Sequence, residues 1–115
     1  MIKRESAMLT KLKENMRGGK GTVKITEAVS EGDYKGKSRL MGILTLNPGC
    51  SIGEHIHENE EEIFYIIEGT ATYNDNGKTV TLEKGDSCVC LGGEKHGIEN
   101  KSDTVLKVFA VILTY

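Results

Sequence analysis

Four side chains of this 115-residue chain have types and spacings suited to a metal ion: His55, His57, Glu62 and His96. In an extended strand residues i and i+2 face the same way, with Cα atoms about 6–7 Å apart. His55 and His57 therefore present two imidazoles to one face, from which both nitrogens reach a shared ion at about 2.0–2.1 Å. Glu62 returns on the next strand with an oxygen, and His96, beyond a hairpin, offers a third nitrogen. No histidine is left over. Three neutral imidazoles and one carboxylate suit a single divalent transition metal (Mn, Fe, Co, Ni, Cu or Zn) and suit Ca or Mg poorly. An octahedral ion so held keeps two positions for water, substrate or dioxygen. Singly, each residue says less: a lone strand histidine is usually structural, and Glu62 stands beside Glu60 and Glu61 in what reads as a surface run.

The elements that must position these residues read as strands. After the GGKG break at 18–21 the apolar pattern has period two, as in TVKITEAV. RLMGILTLN, IGEHIHE, EIFYIIEG, SCVCL and TVLKVFAVILTY read as further strands, separated by Gly, Asn and Asp turns. Asn74-Asp75-Asn76-Gly77 marks the clearest hairpin. Seven or more short strands at this spacing indicate an all-β sandwich or closed barrel. Residues 1–17 are the one stretch that could form a helix, with Ala7, Met8, Leu9, Leu12 and Met16 near one face. Alternation in Glu62–Ile67 turns Ile63, Tyr65 and Ile67 outward if Glu62 points in. That outward apolar row needs cover, from a second sheet, the N-terminal segment or another subunit, and a homodimer is the expectation.

Composition narrows the function classes. Fifteen basic and 17 acidic residues give a net charge of −2, unlike a nucleic-acid binder. KLKEN and ENEEE read as solvated surface. No stretch approaches the ~20 apolar residues of a membrane span, and MIKRESAMLTKLKEN lacks the apolar core of a signal peptide. Cys50, Cys88 and Cys90 are odd in number, against a disulfide framework. A cytoplasmic, single-domain protein with free thiols is expected, acting on a small molecule and not on nucleic acid or membrane.

The spacings resemble the cupin superfamily. Gly49, His55, His57, Glu62 and Gly69 fit its first motif, G-x5-H-x-H-x3,4-E-x6-G. Gly85, Gly93, His96 and Asn100 fit its second, G-x5-P-x-G-x2-H-x3-N, with Leu91 where the family often has proline. The resemblance implies a double-stranded β-helix, the cupin jelly-roll barrel, over 22–115, preceded by a short N-terminal arm at 1–21 that could be helical. It implies that His55, His57, Glu62 and His96 are the metal ligands, that the glycines form turns and that Asn100 is structural. Small single-domain bacterial cupins of this kind often exchange N-terminal strands between two subunits.

The resemblance also implies a function: a metal-dependent enzyme acting on a small molecule, of dioxygenase or decarboxylase type. The alternatives are a metal-dependent isomerase or epimerase, or a non-catalytic metal- and ligand-binding module. An enzyme of the first kind needs a handle for an acid. Arg39 is the best candidate, since Arg4 and Arg17 precede the expected barrel and Lys95 reads as outside. Tyr34, Tyr73 and Tyr115 could line a pocket, although packed or rim positions are the default for tyrosine. Cys88 and Cys90 read as small core residues, and Glu54 and Glu58 should point outward.

Overall fold

The computed structural model describes residues 1–115. Ten strands follow in order: β1 (Leu9–Glu14), β2 (Thr22–Val29), β3 (Ser38–Leu46), β4 (Ser51–Ile56), β5 (Glu60–Glu68), β6 (Thr70–Asp75), β7 (Lys78–Glu83), β8 (Ser87–Cys90), β9 (Lys95–Glu99) and β10 (Leu106–Thr114). All pairings are antiparallel and form two sheets, β1-β2-β3-β10-β5-β8 and β4-β9-β6-β7.

Two expectations are corrected here. The closed jelly-roll barrel is not formed: no ladder joins the edges of the two sheets, which remain separate. Their inner faces instead close a shared core by side-chain packing. The helical arm is not formed either; the chain has two three-residue 3-10 turns, Glu5–Ala7 and Met16–Gly18, and no α-helix. Residues 9–14 pair in full with β2, from Leu9 opposite Glu27 to Glu14 opposite Thr22. That ladder satisfies backbone groups a short isolated helix would hold poorly. Asn15 (φ 49°) and Arg17 (φ 54°) are left-handed, which an α-helix cannot continue through. Met16 packs against the core while Leu9 and Leu12 stay exposed, so the supposed helical face is split. No helix is long and apolar enough to cross a membrane.

Alternation builds the core. Val23 and Ile25 of β2 face inward beside Leu46 and Leu44 of β3, and Val108 of β10 continues the layer. Phe64 and Ile66 of β5 face the same way, while Tyr65 is 48% exposed on the outside. The β6–β7 hairpin closes through Asn76 (φ 51°) and Gly77 (φ 98°), the two-residue turn its sequence calls for. Asn100 is fully buried and satisfied: its amide donates to the carbonyls of Leu46 (2.9 Å) and Thr104 (2.7 Å), and its oxygen accepts from Ser102. It ties the loop before β10 to the end of β3.

Candidate metal centre

A bulge in β4 sets the site. Ile52 pairs with Ile98 of β9, but the next pair is His55 with His96, so β4 carries one extra residue between them. The bulge lets buried Ile52 and His55 both face inward although they lie three residues apart. Gly97 opposite is needed for this, because a Cβ there would press on the Ile52 carbonyl and the Glu54 amide at 3.1 Å. His57 follows just beyond β4, Glu62 lies on β5 and His96 on β9. Phe64 stacks on the His96 ring, centroids 5.1 Å apart, and holds it from one side.

These four residues come together with their ligand atoms all within 4.8 Å of one another. His57, Glu62 and His96 are buried and His55 is half-buried. His57 Nε2 lies 3.1 Å from His55 Nε2, 3.1 Å from His96 Nε2 and 3.0 Å from Glu62 Oε1; His96 Nε2 to Glu62 Oε1 is also 3.0 Å. Bonds of about 2.1 Å at right angles give neighbouring ligands about 3.0 Å apart, whereas tetrahedral angles give about 3.4 Å. These four edges are close enough for the four residues to share one ion.

The opposite ring nitrogens explain why a cation fits. His55 Nδ1 is 2.7 Å from the Gly53 carbonyl, which can only accept, so this nitrogen carries the proton. His57 Nδ1 is 2.6 Å from Glu60 Oε2. The Arg39 guanidinium grips Glu60 through two hydrogen bonds (2.8 and 2.6 Å) and, with burial opposing, holds its carboxyl at about 2. Glu60 is therefore a carboxylate, and His57 donates to it. With Nδ1 protonated, the Nε2 atoms of His55 and His57 direct bare lone pairs at each other and at the Glu62 carboxylate. Such a gathering takes positive charge at its centre, from a proton on His57 or from a metal ion. Tyr73 Oη sits 2.7 Å from His96 Nδ1 and fixes the third ring.

Burial pushes the Glu62 carboxyl up, but contacts with His57 and His96 outweigh it and leave the pKa lowered. The Glu62 carboxylate raises the pKa of His57, burial opposing, while burial lowers that of His55. The cluster is positioned to bind a divalent transition metal.

The cluster opens on one side into a cavity of about 240 Å³. His55, His57 and Glu62 form its floor, and Ile25, Leu44, Ile52 and Ile112 are among its walls. Lys11, Lys13, Arg17 and Arg39 also line it, with Glu27. Arg39 thus reaches the cavity as the sequence suggested, but its guanidinium is committed to Glu60. Of the tyrosines, Tyr73 is an internal partner of His96, Tyr34 donates to the Ser38 carbonyl, and Tyr115 accepts from the Gly92 amide; none lines this cavity. Lys95 pairs with Glu54 outside. Cys90 is buried, and desolvation raises the Cys88 thiol and pushes that of Cys90 to about 11, as suits packed and unreactive thiols.

Sequence reasoning missed three features. Glu60 was read as part of a surface run, although it shares the parity of Glu62 and so the inward face, a signal present in the spacing. Glu27 continues the inward alternation of Val23 and Ile25. Lys11 and Lys13 pair with Ile25 and Val23 and share their face, which only a strand reading of the arm could reveal.

Comparison with known proteins agrees with this architecture. Residues 42–112 match the family model described as a cupin domain. The chain is 42% identical to an oxalate-binding protein of Thermotoga maritima over 113 residues, 98% of this chain and 93% of that one. It is 34% identical to the tetracenomycin polyketide synthase protein TcmJ of Streptomyces glaucescens over 71 residues, 62% of this chain and 48% of that protein. The crystal structure of a predicted oxalate decarboxylase from Thermotoga maritima superposes with a TM-score of 0.94 at 42% identity, covering the whole of both chains. The polyketide cyclase RemF from Streptomyces resistomycificus, 19% identical, shares the fold with a TM-score of 0.77 over 99% of this chain and 80% of its own. With its two-sheet architecture, its gathered histidines and the match over residues 42–112, this chain belongs to the cupin family.

Proposed function

We propose that the chain holds one divalent transition metal on His55, His57, Glu62 and His96, and binds a small carboxylate on the cavity side of that ion. One observation carries the reading: three imidazole nitrogens and a carboxylate oxygen converge at the floor of a cavity whose walls bear more basic groups than carboxylates. The 42% identical relative described as oxalate-binding supports a short acid such as oxalate as ligand. The metal, when bound, supplies Lewis-acid attraction for a carboxylate oxygen. The chain's own residues do the rest. Glu60, Gly53 and Tyr73 fix the imidazoles, the apolar walls exclude water, and the basic residues balance the ligand's charge. Calorimetric titration of oxalate into manganese-loaded and metal-stripped protein tests this. Binding to the loaded form alone is expected; no binding, or equal binding to both, overturns it.

Turnover of the bound acid is a second reading, and one observation favours it. Glu27 lines the same cavity, and its Oε2 is buried without a hydrogen-bond partner. A carboxyl lining the cavity is placed to act as a general acid–base group toward the ligand. Decarboxylation of oxalate with uptake of one proton yields carbon dioxide and formate; oxygenation consumes dioxygen. Release of formate, or oxygen uptake, by loaded protein supports an enzyme of decarboxylase or dioxygenase type. Tight binding with neither supports a binding module.

A further inference from the structure

The basic groups of the cavity are not equivalent. Arg39 is bidentate to Glu60, and Lys11 Nζ lies 3.8 Å from Glu27 Oε1. Neither Lys13 nor Arg17 pairs with any carboxylate. Both sit on the N-terminal segment, which is fastened to the metal strand. The Met16–Gly18 turn packs on β4, where a Cβ on Gly53 would overlap the Arg17 carbonyl and one on Gly19 would overlap the Ser51 carbonyl. Arg17 itself is held at φ 54° and ψ 32°, a conformation costly for a side chain of its size. Gly53 also supplies the carbonyl that orients His55. Two free cations thus sit on a segment whose turn is packed, at Gly19 and Gly53, against the strand that carries His55.

The apolar part of the wall is Met16, Ile25, Leu40, Leu44, Ile52 and Ile112, beside the Lys11–Glu27 pair and Arg39. At about 30 Å³ per water, the 240 Å³ cavity has room for about eight waters, roughly twice or more the volume of oxalate. Oxalate also has no apolar part to cover such a wall. Resting on the metal-carboxylate reading above, we infer that the preferred ligand is a longer dianion: one carboxylate at the metal, a short apolar linker along the wall, and a second acidic group held by Lys13 and Arg17. Those two residues lie outside residues 42–112, so the match to the family model carries no information about them.

The test is calorimetry on the manganese-loaded full chain, with oxalate, malonate, succinate and glutarate, and with butyrate and pentanoate as single-acid controls. Each buried methylene adds about fourfold in affinity. Succinate or glutarate is expected to bind about tenfold tighter than oxalate, and tighter than the monoacid of equal length. Raising the salt should erode that advantage, because the rim is exposed. In the double variant Lys13→Gln/Arg17→Gln the diacid should weaken about tenfold and oxalate clearly less. Both positions are exposed, and unchanged metal content and melting temperature verify the fold. If oxalate binds best, or if the variant weakens oxalate and the diacids equally, the inference fails while the metal-carboxylate reading stands. If no acid binds the loaded chain, both fall.

Discussion

The floor and the rim of the cavity are built on opposite terms. At the floor, His57, Glu62 and His96 are at most 6% exposed, and each imidazole of the cluster has a partner on its far nitrogen. At the rim, Lys13 and Arg17 are exposed and unpaired. The floor comes from β4, β5 and β9, inside residues 42–112. The rim comes from an edge strand and the turn that follows it. The difference separates two tasks. Metal chemistry requires atoms fixed to tenths of an ångström, which packed and fully bonded strands provide. Ligand selection requires charge near a mouth, and an edge strand can change its side chains without disturbing the core.

Perturbing the floor should give the larger effects. His57→Ala removes a ligand and leaves Glu60 and Glu62 without their shared partner; loss of metal, read by chelator competition, should exceed the 10–100-fold typical of outer contacts. Glu60→Gln keeps the shape but weakens the acceptor for His57 Nδ1 and the hold on Arg39, and a loss of about 10–100-fold in metal affinity is expected. Tyr73→Phe frees only the Nδ1 side of His96 and should fall at the low end of that range, about tenfold. A fall as large as that of His57→Ala would contradict the division between ligands and supports.

Gly53→Ala tests the contact that joins the two regions. The added methyl meets backbone, so the turn or the strand must move, at a cost of about 1–3 kcal/mol. For a domain of this size that lowers Tm by about 4 °C per kcal/mol. Acid should act on the floor through two groups. Glu60 titrates at about 2 when folded, below its ordinary range, so its stabilising contribution is present at neutral pH and is lost as pH falls from about 4.5 towards 2. His57 has a raised pKa and must shed its proton to bind metal, so metal affinity should fall as pH drops through that raised value, with proton release on binding at constant pH.

The smallest expected effect on the cavity comes from the outer face of the larger sheet. Tyr65 and Val89 are 48% and 46% exposed there, beside Ile63, Phe109 and Val111. A homodimer through this face is our proposal. Light scattering at micromolar concentration should give twice the chain mass, and Tyr65→Glu should give monomers that keep their metal. A monomeric wild type would contradict it.

The gathering of His55, His57 and Glu62 was legible in the sequence because strand parity and turn spacing are local rules: His55 and His57 share a face two residues apart, and a short return delivers Glu62. The Asn76–Gly77 turn was legible for the same reason. The β4 bulge was not, since it depends on Gly97 across the ladder. The arm misled because Ala7, Met8, Leu9, Leu12 and Met16 imitate a helical face, whereas pairing with β2 decides its form. Closure was overestimated because strand count and spacing do not say whether sheet edges meet.

Elemental analysis of purified protein tests the central claim most directly, comparing the wild type with a variant in which both His55 and His57 are alanine. The wild type should carry close to one transition-metal ion per chain, and the folded variant none. Equal occupancy in both would contradict the assignment of the site.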